Sequence, residues 1–206
     1  MRMTKISLGV LAGVLLLSSG FAAITAYRLQ LPGSILEFKA DSTLHGIEGR
    51  VTSFSVRPLS FDFEKPVLQD LIEVTFPVRA MDTAMKARDA AMYKTFDADH
   101  FPDIVYKAAT IRCVPDTADR LSCTVPGDLT IKKRTLPVPL HAIIERRGGL
   151  LHVRGDAALS LNAFDLHPPT ILGIIKVFDE VAVHFDTGWA PALPQISSDK
   201  ELQKAP

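Results

Sequence analysis

From about Tyr27 to Asp186, apolar and polar side chains alternate at every second position, as in Leu36-Glu37-Phe38-Lys39-Ala40, Ile72-Glu73-Val74-Thr75-Phe76 and Val181-Ala182-Val183-His184-Phe185. Period two marks strands with one dry face and one wetter face. Further runs cover Val51 to Val56, Leu59 to Phe63, Ile104 to Ile111, Leu121 to Ile131, Pro137 to Ile144 and Leu150 to Leu161, so the pattern predicts about eight to ten strands. That number closes a barrel or fills a sandwich, and periodicity alone does not choose between them. Two glycines between alternating runs, at Arg146-Arg147-Gly148-Gly149, predict a tight hairpin.

One stretch breaks the alternation. Met81 to Phe96 is rich in helix formers and poor in β-branched residues. It predicts a single helix from Asp82 to Phe96, with Asp82 or Thr83 capping its first turn. Met85, Met92 and Phe96 then gather on one flank, with alanines between them. A lone helix among strands must lie over a sheet or across a barrel mouth, and methionines give such a cover an adaptable apolar surface.

The two ends read differently. Arg2 and Lys5 precede an apolar run, Ile6 to Leu17, and small residues gather at Ser18-Ser19-Gly20 and Ala22-Ala23. This is the order of a secretory signal, cleaved after Ala22 or Ala26; the alternative is an uncleaved membrane anchor. Residues 188–206, which hold Trp189, three prolines and a polar run, read as a flexible tail on which Trp189 can still dock. The expected organisation is thus 1–26 export segment, 27–187 one globular domain and 188–206 tail. Cys113 and Cys123 flank a turn-rich segment and lack Cys-x-x-Cys spacing, so a structural disulfide is expected, which suits an exported, periplasmic protein.

Charge narrows the partners. The chain carries 23 basic and 23 acidic residues, and loss of Arg2 and Lys5 leaves the mature part slightly acidic. No concentrated basic face is evident, so nucleic acid is not an expected partner.

Four motifs carry a resemblance. Ser42-Thr43-Leu44-His45-Gly46-Ile47-Glu48-Gly49, the pair Val78-Arg79-Ala80-Met81-Asp82-Thr83 and Arg88-Asp89-Ala90-Ala91-Met92, then Phe101-Pro102-Asp103-Ile104 and finally Gly127-Asp128-Leu129-Thr130-Ile131 stand in the order found in the YceI-like family. The chain resembles that family over a little under half its length. The resemblance implies a mainly β fold: a single antiparallel, lipocalin-like β-barrel with one short helix near its mouth, an elongated apolar tunnel and no catalytic residues. It also implies a periplasmic protein that holds a polyisoprenoid or another lipid. The chain departs from the commoner pattern at Lys132-Lys133-Arg134-Thr135, where a histidine-glycine turn is usual, and in its cysteine pair.

A tunnel for such a chain needs inward apolar side chains. The expected lining is Leu36, Phe38, Phe54, Val74, Phe76, Tyr106, Leu159, Leu161, Val181 and Val183, with Met85, Met92 and Phe96 at a mobile cover. The same residues can equally fill a dry core. His45 either bonds a backbone turn or caps the polar end of a ligand. The six histidines form no close pair in sequence, so no metal and no cofactor are expected. Arg88 and Asp89 are adjacent on the helix and are expected to serve different partners, in a structural role. The apolar but proline-broken stretch from Leu161 to Val177 offers Ile171, Leu172, Ile174 and Ile175 as an entry lip or a packed loop. The expected function is non-catalytic lipid binding. The rival is a side-chain-filled barrel that binds a membrane or envelope protein, and a homodimer is left open.

Overall fold

The computed structural model describes residues 25–63, 66–68, 71–168 and 176–192. In chain order the elements are β1 (Thr25–Ser42), β2 (Ile47–Val51), β3 (Ser55–Val56), β4 (Leu59–Asp62), β5 (Val67–Leu68), β6 (Ile72–Pro77), β7 (Met81–Asp82), α1 (Lys86–Thr95), β8 (Asp103–Ala108), β9 (Arg112–Thr117), β10 (Arg120–Val125), β11 (Asp128–Ile131), β12 (Arg134–Pro137), β13 (Leu140–Arg147), β14 (Leu150–Ser160) and β15 (Val177–Pro191). Single 3-10 turns stand at Val78–Ala80 and Asn162–Phe164.

All ladders are antiparallel and fall into two sheets. One runs β5-β4-β1-β15-β14-β13-β10-β9, with β2 also on β1 and β7 on β2; the other runs β12-β11-β8-β6-β3. The chain passes from one sheet to the other over a few residues at β8 into β9, β10 into β11 and β12 into β13. Two of the corners hold Pro126-Gly127 and Val138-Pro139, where proline removes a ladder donor. The interrupted run from β2 to β4 borders β1 through β2 and β4, and borders β6 through β3. Between these ladders the Thr52 amide donates to the Ala80 carbonyl at 2.8 Å and the Arg57 amide to the Glu73 carbonyl at 3.3 Å. The pairings therefore close a ring: β1, β2 to β4, β6, β8–β9, β10–β11, β12–β13, β14, β15 and back to β1.

The Gly-Gly hairpin forms as expected. Gly148 and Gly149 both have positive φ, 58° and 83°, and Arg147 pairs directly with Leu150. Both central residues of this turn need the left-handed region, which a side chain makes costly.

Five expectations need correction. Leu121 to Ile131 is not one strand but β10 and β11 around the Pro126-Gly127 corner, and Val51 to Val56 is broken between β2 and β3. The helix begins at Lys86, four residues after the expected Asp82, and Thr95 rather than Phe96 ends it. Asp82 and Thr83 do not cap it: Asp82 Oδ1 accepts from the Ala84 amide at 2.8 Å, while the Thr83 amide and hydroxyl donate to Asp89 at 2.9 and 2.6 Å. Ala84 takes φ 56°, which cannot continue into a right-handed helix. Met81–Asp82 is strand, paired with β2. Finally, β15 continues to Pro191, so residues 188–191 are strand and not tail, and Trp189 is buried opposite Leu29 and Leu151. The expected export segment before Thr25, the lip residues Ile171, Leu172, Ile174 and Ile175, and the chain after Ala192 lie outside the described residues.

Cys113 and Cys123 are direct cross-strand partners on β9 and β10 and form a disulfide. It ties the end of the barrel where Tyr27, Phe61, Phe63, Leu121, Ile144, Leu151 and Trp189 pack together.

Candidate functional site

Strand alternation carries one set of side chains inward around the whole ring. On β1 these are Leu36, Phe38 and Ala40, on β13 Leu140, Ala142 and Ile144, on β14 Leu151, Val153, Ala157 and Leu159, and on β15 Val181, Val183 and Phe185. They do not fill the interior. A continuous cavity of about 790 Å³ runs between them, in the upper part of the ~300–1,000 Å³ range of small-molecule sites. Leu36, Phe38, Val74, Phe76, Leu159 and Val183 face inward and yet are only half-buried, because the surface they expose is cavity wall.

All of the expected lining residues border this cavity. Leu36 and Phe38 of β1, Val74 and Phe76 of β6, Tyr106 of β8, Leu159 of β14, and Val181 and Val183 of β15 form the wall. Phe54, between β2 and β3, and Leu161, just past β14, complete it. Met85, Met92 and Phe96 border it at α1, and His45 at the turn after β1. Burial pushes the Tyr106 hydroxyl well above the ordinary tyrosine range, and it donates to the Val125 carbonyl at 3.0 Å. It thus stays a neutral donor that is already engaged.

The end remote from α1 is closed. Tyr27, Phe61, Ile144, Leu151 and Trp189 are buried there and border the cavity. Two of its polar groups are bonded to the protein: the Trp189 indole donates to the Thr187 hydroxyl at 3.0 Å, and that hydroxyl donates to the Val153 carbonyl at 3.0 Å. These residues were not singled out from sequence. Trp189 stands in a segment that reads as tail, and Tyr27 directly after the export segment; the period-two run through Val181 and Phe185 was the available signal for Thr187 and Trp189.

The other end is the mouth. Arg88, Ala91, Met92 and Thr95 of α1 border the cavity, at helical spacing for one face. The Tyr93 hydroxyl pins the helix to the wall, donating to the Met81 carbonyl at 2.7 Å and reaching the Arg79 carbonyl at 3.2 Å. Met85 and Leu44 are 50% and 66% exposed at the rim. Ser42 organises the facing turn: its hydroxyl donates to the His45 carbonyl at 2.6 Å and accepts from the His45 amide at 3.2 Å. His45 Nδ1 stands 2.8 Å from the Gly46 carbonyl, so this ring nitrogen bonds the turn, one of its two expected roles. Arg88 and Asp89 do diverge: Asp89 reaches back to Thr83, while Arg88 donates to Met85 Sδ at 3.5 Å.

Beside the mouth, the segment after β14 is folded against the wall. Phe164 and Leu166 are 2% and 0% exposed and border the cavity. Asp179 holds this segment, accepting from the Ser160 hydroxyl and the Asn162 amide, each at 2.7 Å. These donors keep its carboxyl below the usual carboxylate range, the Asn162 amide most of all.

Charged side chains gather outside the barrel. On the outer face Glu145 is ringed by Arg120 at 3.4 Å, Arg154 at 3.2 Å and Arg147. Among the described residues no group of three His, Cys, Asp or Glu side chains could hold one metal ion. What the arrangement offers is a long, dry, nearly uncharged compartment, suited to taking an apolar chain out of water.

Comparisons agree with this geometry. The sequence pattern of the YceI-like domain matches residues 27–188. A UPF0312 protein of Photorhabdus laumondii is 25% identical over 149 residues, 70% of this chain and 74% of its own length. Among solved structures, Burkholderia cenocepacia BcnA superposes with a TM-score of 0.63 at 22% identity, covering 78% of this chain and 99% of its own. A polyisoprenoid-binding domain of Saccharophagus degradans, described as implicated in plant cell wall breakdown, gives 0.62 at 11% identity, with 82% and 99% covered. The YceI protein of Campylobacter jejuni gives 0.55 at 17%, with 71% and 85% covered.

Proposed function

This chain belongs to the YceI-like domain family, and on that premise we propose that it is an exported, non-catalytic carrier that holds one long apolar lipid, of the polyisoprenoid class or similarly extended, inside its barrel. The observation that carries the reading is the continuous apolar cavity of about 790 Å³, closed at Trp189 and bordered at its other end by α1. Each methylene moved from water into such a wall stabilises a complex by about 0.8 kcal/mol, so a long chain binds through area alone. The similar domain of Saccharophagus degradans, which binds polyisoprenoid, supports the ligand class.

Periplasmic residence is part of the same reading. It is supported by the signal-like start of the sequence and by the Cys113–Cys123 disulfide, a bond that persists in oxidising compartments. Of the two cleavage points, the one after Ala22 leaves β1 whole, since Thr25 and Ala26 pair with Phe61 and Ser60.

Native mass spectrometry of protein purified from its own cell envelope tests the proposal. A mass excess that leaves as one discrete lipid on denaturation is expected. A native mass equal to the bare mature chain, with nothing released into organic solvent, would turn the reading toward an interaction module without a lipid.

A further inference from the structure

Charge reaches the cavity at its mouth, and that place points to the ligand's head. Among the described residues, Arg88 and Glu37 are the Asp, Glu, Lys or Arg side chains on its border. Glu37 lies between the inward Leu36 and Phe38, and its cross-strand partners are Arg50 and His184, so its carboxylate belongs to the outer face. Arg88 is therefore, among the described residues, the cation that faces the cavity. It is half-buried, and its recorded bond is to the weak acceptor Met85 Sδ. The carboxylates nearest in sequence are committed elsewhere: Asp89 to the amide and hydroxyl of Thr83, Asp82 to the Ala84 amide and to Arg50 at 4.0 Å. A guanidinium carries five donors, and a partly desolvated one without an anion is costly unless a ligand supplies it.

The opposite end cannot compete for that role. The polar groups of Thr187 and Trp189 are bonded to the protein, and what remains there is the neutral Tyr27 hydroxyl among aromatic and aliphatic side chains, with no charged group among the described residues. An amphiphile is thus oriented by the wall itself, tail toward Trp189 and head toward α1.

We propose that the ligand is an apolar chain ending in an anionic head group, phosphate or carboxylate, and that Arg88 is the residue that selects it by bidentate, charge-assisted hydrogen bonds at the mouth. The inference rests on the carrier reading above and sharpens it, because a neutral alcohol of the same chain would fill the tunnel and leave Arg88 unpaired.

The test compares matched chains on the delipidated mature protein: farnesyl phosphate against farnesol, and palmitate against hexadecanol. The chain has one tryptophan, and its place at the closed end makes its fluorescence a report on the tail. We expect the anion of at least one pair to bind about tenfold or more tightly than its alcohol, the size of a charge-assisted hydrogen bond. The pair that shows the preference tells phosphate from carboxylate. Arg88→Gln is expected to abolish the preference, so that the anion and the alcohol of each pair bind the variant alike. Equal binding of anion and alcohol by the wild type, or a preference that survives in Arg88→Gln, overturns the head-group proposal and leaves the carrier reading standing. If no chain of either kind perturbs Trp189 or binds by calorimetry, both fall together.

Discussion

The tip of the Phe38 ring stands over the bare backbone of Gly49, its cross-strand partner. A Cβ placed on Gly49 would stand 2.2 Å from the Phe38 Cζ. The glycine is what lets an aromatic side chain lean over the β1–β2 ladder while still bordering the cavity, the pairing of glycine and aromatic known from curved sheets. Gly49→Ala must push Phe38 off its position. Overpacking of this kind costs about 1–3 kcal/mol. The expected result is a lowered urea midpoint with unchanged slope, and weaker binding of any chain that reaches past Phe38.

The cover over the mouth is tied down by two side chains, Asp89, which accepts from the Thr83 amide and hydroxyl, and Tyr93. Among the described residues, α1 has no fully buried side chain, so the bond from Tyr93 to the Met81 carbonyl contributes much of its attachment. Tyr93→Phe keeps the ring, and with it the Arg79 guanidinium 5.5 Å from the ring centre, but removes the donor. Loss of a neutral hydrogen bond costs about 1 kcal/mol. Amide exchange in residues 86–95 is expected to quicken several-fold while β13 to β15 stay protected. An unchanged exchange rate would show that the Thr83–Asp89 bonds and the packing of Met92 and Phe96 hold the helix without it.

How much of this could be read in the sequence follows from what each residue's signal depends on. Alternation gave Leu36, Phe38, Val181 and Val183 their inward direction, because strand geometry is local. Hollowness is not local: Val74 or Leu159 would show the same pattern in a filled barrel, and only the summed volume of facing side chains leaves the cavity. The start of α1 was misplaced because Asp82 and Thr83 have the composition of caps, yet pairing of Met81–Asp82 with β2 and the left-handed Ala84 delay the helix. Tertiary pairing overrode local preference there. Trp189 was placed in a tail because Pro191 and Pro194 follow it closely, whereas the β1 and β14 partners that bury it lie far away in sequence.

Acid should loosen the mouth before the barrel. The Asp179 carboxyl is depressed by the Asn162 amide and Ser160 hydroxyl, so its contribution is fully present above the unfolded value near 3.8 and is lost as pH falls through the lower folded value. Hydrogen exchange at Leu161 and Leu166, whose amides bond the Asp179 and Leu161 carbonyls, is expected to rise below about pH 4 relative to the β13–β14 ladder. Asp179→Ala should give the same loosening at neutral pH. Protection that stays flat down to acid unfolding would assign the ordering of this segment to Phe164 and Leu166 alone.

The disulfide stabilises the closed end without taking part in binding. Cys113 and Cys123 are ten positions apart, and cross-linking so short a loop is worth about 3 kcal/mol in chain entropy. For a domain of this size that corresponds to a fall of roughly 6–12 °C in Tm when both are replaced by serine. Ligand affinity measured well below the new Tm should be unchanged. A large loss of affinity would mean that the bond also sets the shape of the cavity floor.

The depth of the cavity can be measured with one substitution. Ala157 of β14 pairs with Val183, which in turn pairs with Phe38, and all three border the cavity between the Trp189 end and the mouth. From Leu151 to Leu161 the wall spans about 33 Å along the strand, or roughly 25 Å along the barrel axis for ordinary strand tilt. A large side chain at Ala157 meets open space rather than packed atoms. Ala157→Trp should therefore leave Tm unchanged or raise it, unlike the usual small-to-large change in a filled core. It should also act as a stop: chains that end short of residue 157 keep their affinity, and longer ones lose about 0.8 kcal/mol for each methylene excluded. Plotting affinity against chain length for the wild type and Ala157→Trp then gives two curves that coincide for short chains and part at one length. Curves that coincide throughout would show that ligands never pass the middle of the barrel, and a collapse in Tm would show that the interior around Ala157 is filled.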